Sequence, residues 1–216
     1  MKKIYLDVCA LCRPYDNQTF TRIHLETVAL ELILSAVEKE RFQLQWSPVH
    51  YQEISATAND SEREELLLLM EKTKTSLGID QKQARKRAET FVSHGVGVAN
   101  AAHVAYAESM KADFITCDDK TCPSRIANLD RKPYSILQQG EFTMNPTKLM
   151  SDKDLIRKGT EILIKNLGYT EALRFLSMPK EKRMDSVQRH REWQETLDKN
   201  DFFERVFTPE QTKERQ

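Results

Sequence analysis

The sequence holds no stretch long and apolar enough to cross a bilayer. Its longest unbroken aliphatic run, Leu66 to Met70, is far below the roughly 20 residues a spanning helix needs, and this excludes a membrane span. It has no excess of charge of either sign: Lys plus Arg and Asp plus Glu both number 33. A polyanion-coating protein with a strong basic bias is thereby excluded, although local basic patches remain open. Cysteine is scarce, at four, and Asp7 interrupts the start before a signal-peptide core forms. The expectation is a cytoplasmic chain with reduced thiols, not a disulfide framework. Gly95-x-Gly97 is too short for a phosphate loop and reads as a helix stop. No Ser or Cys nucleophile stands in a motif with a paired base. Trp46 and Trp193 lack the aromatic neighbours of a base-stacking platform and read as core. There is no internal repeat and no low-complexity segment. What is present is 39% hydrophobic and 31% charged residues over 216 positions. That suits one medium domain, alone or with a helical appendage.

Period-two and helical patterns alternate through the first part of the chain. Ile4, Leu6 and Val8 predict a strand over Lys3 to Val8, stopped before Pro14. Apolar spacing predicts a helix from Thr21 to Glu40, then a short strand over Gln43 to Ser47. Pro48 opens a helix that carries Glu53. Ser61-Glu62-Arg63-Glu64 reads as a capping box opening the next helix. Helices over Asp80 to His94 and Val98 to Lys111 follow, the second with a small-residue face of Ala99, Ala102 and Ala105. Phe114 to Cys117 reads as a buried strand ending at Asp118-Asp119, and Tyr134 to Leu137 as a last strand. Strands separated by helices predict an α/β sandwich with a mainly parallel sheet. After Asn145-Pro146 only helical patterns remain: Leu155 to Leu167, Glu171 to Leu176 and Asp185 to Leu197, punctuated by Gly168 and Pro179. The expected division is therefore residues 1–145 and a helical extension over 146–216.

Ligands of open α/β sheets bind beyond the carboxyl ends of the strands. Asp7 lies near one such end and Asp118 and Asp119 follow another. With Glu53 from its helix they would form a cleft of carboxylates, with no cationic partner evident nearby. Such crowding is usually relieved by a divalent cation, and oxygen-only donors suit magnesium or manganese. A metal held there would favour phosphodiester hydrolysis. Singly, each acid has a plainer role: a turn or N-cap for a lone Asp, a solvated helix position for Glu53.

Tyr5-Leu6-Asp7-Val8-Cys9, Arg13-Pro14, Ser47-Pro48-Val49 with Glu53, Ala101-Ala102-His103-Val104-Ala105 and Phe114-Ile115-Thr116-Cys117-Asp118-Asp119 together resemble a PIN domain. The resemblance is to the bacterial VapC-like toxin ribonucleases and spans about residues 3 to 137. It implies an α/β/α sandwich whose acidic cluster holds Mg2+ or Mn2+ and cleaves RNA by metal-assisted hydrolysis, in a toxin–antitoxin setting, as a homodimer. Asp7, Glu53 and Asp118 match the catalytic, metal-holding positions. Asp119 is auxiliary, and Thr116 matches the hydroxyl residue two before the last acid. One departure is Asn100, where the family commonly has Asp. An amide offers a neutral oxygen but one charge less, which weakens metal binding or marks an inactive descendant.

The segment around Asp154 to Gly159, Leu167-Gly168, Ala172 to Leu176 and Arg189-His190 resembles small helical antitoxin-like proteins associated with PIN toxins. This implies a tail that covers the cleft of its own chain or of a neighbouring subunit. The plainer reading is a helical cap in which Leu163, Leu167, Leu173, Phe175 and Leu176 bury an apolar face. Lys182, Arg183, Arg189 and Arg191 could reach an acidic cleft or nucleic-acid phosphates, or simply form a solvated face. Phe202, Phe203 and Phe207 read as an anchor, to the chain's own core or to a partner. Cys9-x-x-Cys12 and Cys117-x4-Cys122 sit at strand ends rather than zinc knuckles, so buried thiols are the reading. His103 reads as a core residue or a support for the site. The competing function is a PIN-fold binding module for nucleic acid or protein without turnover. A phosphatase with Asp7 as nucleophile is remote, since Cys9 stands where that chemistry wants a second acid.

Overall fold

The computed structural model describes residues 1–73, 78–119, 135–136, 150–177 and 184–208. Four strands pair in the order β2-β1-β3-β4, all parallel. They are β1 (Lys2–Leu6), β2 (Phe42–Leu44), β3 (Asp113–Thr116) and β4 (Ser135–Ile136). The rest of the described chain is mainly helical, so the fold is α/β with a small parallel sheet. The outer residues of the expected last strand, Tyr134 and Leu137, lie outside the described residues. So do Cys122, Asn145-Pro146, Pro179, Lys180, Lys182 and Arg183.

In β1, Ile4, Tyr5 and Leu6 are all buried. The strand is covered on both faces, as a central parallel strand requires, rather than alternating between core and solvent. It also ends earlier than its pattern predicts. The Asp7 side chain accepts from the Ala10 amide at 2.7 Å and turns the chain into α1 (Val8–Leu11), placing Val8 in a helix. A 3-10 turn over Arg13–Tyr15 follows. Next come α2 (Thr21–Glu38), β2 and α3 (Pro48–Ser55). In α4 (Asp60–Thr73) the expected capping box at Ser61 is not the start: Asn59 accepts from the Glu62 amide at 3.0 Å. Asn59 stands two residues earlier, and its side-chain oxygen satisfies an N–H of the first turn there. Then come α5 (Gln81–Ser93), capped by Asp80, and α6 (Val98–Met110).

Helix α6 packs on β1, β3, α3 and α5. Its alanines at 99, 101, 102, 105 and 107 are fully buried, and their small volume lets neighbouring backbones approach closely. Among the described residues a hydrophobic core cluster is built on this helix, with Tyr5, Phe91, Tyr106 and Phe114.

The chain divides into two compact units, one of residues 1–143 with 184–216 and one of residues 144–183. This differs from a single boundary near 146. The difference has a visible cause: α8 (Ser186–Glu195) and α9 (Lys199–Phe207) belong with the sheet. Phe202, Phe203, Val206 and Phe207 of α9 enter that core cluster, Phe207 stacks on Tyr106 at 5.0 Å, and the Tyr106 hydroxyl donates to the Val206 carbonyl. The three C-terminal phenylalanines thus anchor to the chain's own core.

The second unit contains α7 (Asp152–Leu176), which Ser151 caps and Gly168 interrupts. At φ 78° and ψ 170° Gly168 occupies backbone space open essentially to glycine alone, and there the two predicted helical stretches join. Leu167, Leu173, Phe175 and Leu176 are exposed, contrary to the expectation that they bury an apolar face. Among the described residues, no helix is long and apolar enough to cross a membrane.

Candidate active site

Leu6 of β1 is in register with Ile115 of β3, and the Asp7 amide continues the pairing to the Ile115 carbonyl at 3.0 Å. Because β2 lies on the other side of β1, this is where the strand order switches direction. Crevices form at such points beyond the carboxyl ends of the strands. Asp7, Thr116 and Asp118 all sit there and all are buried. The Thr116 hydroxyl donates to the Asp7 carboxylate and accepts from the Asp118 amide at 2.9 Å. One hydroxyl thus fixes one acid by its side chain and the other by its backbone. The N-cap role expected for a lone Asp is filled by Asp7, and the same side chain lies at this crevice.

Glu53 arrives from α3 and is buried rather than solvated. A relay holds it in place. His103 Nε2 lies 3.1 Å from Glu53 Oε2, and His103 Nδ1 lies 2.7 Å from the Tyr5 hydroxyl. That hydroxyl also lies 2.6 Å from Ser47 Oγ. Since a carboxylate only accepts, Nε2 of His103 carries the proton and Nδ1 accepts from Tyr5. Burial lowers the His103 pKa and Glu53 only partly opposes it, in keeping with a neutral ring. His103 is therefore the positioning residue for Glu53.

The cations absent from the nearby sequence come from α8. His190 Nδ1 faces Glu53 Oε1 at 2.6 Å and its Nε2 faces Asn100 Oδ1 at 2.9 Å. The Asn100 amide nitrogen in turn donates to Asp118 at 3.4 Å, which sets the orientation of the amide. With oxygen acceptors on both sides, both nitrogens of His190 donate, and the ring is an imidazolium. Burial works against that charge, but Glu53 outweighs it, with help from Asp7 and Asp118, and the His190 pKa is raised. Arg191 Nε donates to Asp118 Oδ1 at 3.0 Å, and its guanidinium reaches the exposed Asp119 at 2.6 Å. Asp119 is thus at the rim, while Asp118 is inside.

Further bonds seat α8 on this cluster. The Ser186 amide and hydroxyl donate to Asp16 at 2.9 and 2.6 Å, and Arg189 pairs with buried Glu62. Gln194 Oε1 accepts from the Asn100 backbone N–H at 2.9 Å. Gly97 makes that last bond possible, because a Cβ there would stand 2.1 to 2.4 Å from the Gln194 side chain. Sequence reasoning marked the Arg189-His190-Arg191 stretch as basic but did not assign His190 or Gln194 to particular partners.

The acids respond differently to this setting. Burial pushes the Asp7 carboxyl up to about 7, against Thr116, the Ala10 amide and His190. Burial also acts to raise Glu53, but His190 and then His103 outweigh it and hold the group below the usual carboxylate range. Asp7, Glu53 and Asp118 are thus buried and linked through Thr116, Asn100 and His190, with Glu53 and Asp118 each answered by a cation. Among the described residues, however, the three acids do not bring their oxygens all within 4.8 Å of one another. The donor set consists of hard oxygens suited to a divalent ion. No protein-family model, curated protein or solved structure matches the chain.

Proposed function

We propose that the chain is a PIN-type, metal-dependent endoribonuclease that works in the cytoplasm on single-stranded RNA, and that α8 restrains it. The observation carrying this reading is the convergence of Asp7, Glu53 and Asp118 from three segments, at a strand-order switch, linked by Thr116, Asn100 and His190. Asp7, Glu53 and Asp118 would hold Mg2+ or Mn2+, with Asn100 as a neutral fourth donor. When bound, the ion polarises a phosphodiester and acidifies an attacking water. Thr116 fixes Asp7, and the Ser47–Tyr5–His103 relay fixes Glu53. His190 and Arg191 neutralise Glu53 and Asp118, so substrate and metal must displace them. A toxin–antitoxin setting and a homodimer belong to this proposal through the family resemblance.

The second reading, a PIN-fold binding module without turnover, is favoured by one observation. Asn100 lacks the charge of an acid, and His190 and Arg191 already pair with two of the three carboxylates, Glu53 and Asp118. Cleavage of single-stranded RNA with manganese or magnesium by the full-length protein distinguishes the two. The expected result is cleavage that disappears in Asp7→Asn. Absence of cleavage from both wild type and Arg191→Ala, with both folded, overturns the enzyme reading and leaves the binding module.

A further inference from the structure

A second donor set overlaps the oxygen cluster on one side and has different chemistry. Cys9 of α1, Glu53 of α3 and His190 of α8 each present one potential ligand atom, and these atoms all lie within 4.8 Å of one another. All three residues are buried. We propose that Cys9 Sγ, a Glu53 carboxylate oxygen and His190 Nδ1 form a zinc(II) site that fastens α8 to the body of the fold.

Four features of the geometry support it. A thiolate, an imidazole and a carboxylate are a donor set zinc accepts, whereas magnesium avoids sulfur. Bonds of about 2.0 to 2.3 Å around a tetrahedral ion separate ligand atoms by roughly 3.5 Å, so the 2.6 Å Glu53–His190 contact must open by about 1 Å, while no pair has more than 4.8 Å to close from. The supporting hydrogen bonds are already made. His190 offers its other ring nitrogen to Asn100 Oδ1 at 2.9 Å, and Glu53 has its second oxygen bonded by His103 at 3.1 Å. Such outer bonds orient ligands in metal sites. Finally, a cavity of about 20 Å³ adjoins two of the three ligands, Glu53 and His190, with Val8 and Arg189 also in its lining. That is room for one water, which would complete four-coordination.

On binding, the thiol proton of Cys9 and the Nδ1 proton of His190 leave to solvent, and no redox step is involved. The ion takes the place of the Glu53–His190 hydrogen bond. The site joins α1, α3 and α8, and it engages Glu53, one of the acids of the oxygen cluster. Zinc therefore holds α8 down and competes with magnesium or manganese for Glu53.

The test uses cobalt(II), which replaces zinc and reports its ligands by absorption, so it reads binding whether or not the protein cleaves RNA. Titrating the full-length protein with cobalt(II) is expected to give visible bands of a tetrahedral ion and a near-ultraviolet thiolate-to-cobalt band, both reversed by zinc. Cys12→Ser, a buried thiol outside the set, keeps the spectrum. Cys9→Ser loses the thiolate band, and His190→Gln loses the tetrahedral bands, with folding of each checked by circular dichroism. Zinc should also raise the Tm of wild type and not of Cys9→Ser. If Cys9→Ser does not fold, Cys9→Ala takes its place, and His190→Gln with the zinc-dependent Tm still decides. A wild-type protein without a thiolate band, or a band that survives loss of Cys9, overturns the proposal.

Discussion

His190 Nδ1 lies 2.6 Å from Glu53 Oε1, a carboxylate 137 residues earlier in the chain. With Asn100 on its other nitrogen, one ring ties α8 to both α3 and α6. Its neighbour Arg191 holds Asp118. Two consecutive residues thereby neutralise two acids that local sequence leaves unpaired.

The first expected outcome concerns Arg191. Charge-assisted hydrogen bonds contribute about 1.5–3 kcal/mol, and partial exposure of the Arg191 side chain favours the low end. Arg191→Ala should therefore raise the open population, and with it manganese-dependent RNA cleavage, about tenfold. Initial rates on a fluorogenic single-stranded RNA check this, and adding Asp7→Asn to the variant should return the rate to background.

Asp7 should tie stability to pH. In the fold its carboxyl keeps its proton up to about 7, against an ordinary 3.8. Between roughly pH 4 and 7 the folded chain holds more protons than the unfolded one, so stability falls as pH rises through that window. Asp7→Asn does not ionise. Relative to wild type it should gain stability across the window, by up to about 1.4 kcal/mol per pH unit, and no further above it. Urea unfolding of both proteins at a series of pH values, without added metal, measures the difference.

His50 should act with the opposite sign. Its Nε2 donates to the Leu6 carbonyl at 2.8 Å, and its Nδ1 accepts from the Ser47 amide at 3.0 Å. A second proton would set N–H against N–H. Burial first, then His103, lowers its pKa from 6.5 to about 3. The unfolded chain thus takes up a proton that the folded chain refuses, and this stability contribution is lost as pH falls from 6.5 toward 3. His50→Gln, which keeps a donor for Leu6, should flatten that acid limb in the same unfolding series.

The C-terminal helix should behave as core. Phe203 is buried and meets Phe207 edge-on at 5.3 Å. Phe203→Ala should cost about 3–5 kcal/mol, readable as a lower urea midpoint. A chain truncated at residue 146 lacks α9 and should fail to unfold cooperatively. A point variant in α8 is therefore the cleaner way to release the site.

Much of the fold follows from local pattern. Alternating strands and helices of the right lengths predict a parallel sheet, and Asp7 and Asp118 read as strand-end acids because strands end where their apolar residues do. The same logic misplaces detail. It extends β1 through Val8 because an alternating pattern does not reveal that the Asp7 side chain caps a helix one residue later. It starts α4 at Ser61 because a capping box and an earlier Asn59 cap look alike in sequence.

What the sequence by itself determines here is which residues carry charge, which faces are apolar and where strands stop, since each depends on neighbours a few positions away. The tertiary structure alone decides that Phe202, Phe203 and Phe207 close the core against Tyr106 and α6. It also decides that His190 and Arg191, rather than any nearby residue, answer Glu53 and Asp118. An apolar helix face or a basic stretch does not encode what it will meet. A hydrogen bond spanning 137 residues follows from how α8 packs on α1, and no spacing in the chain records that packing.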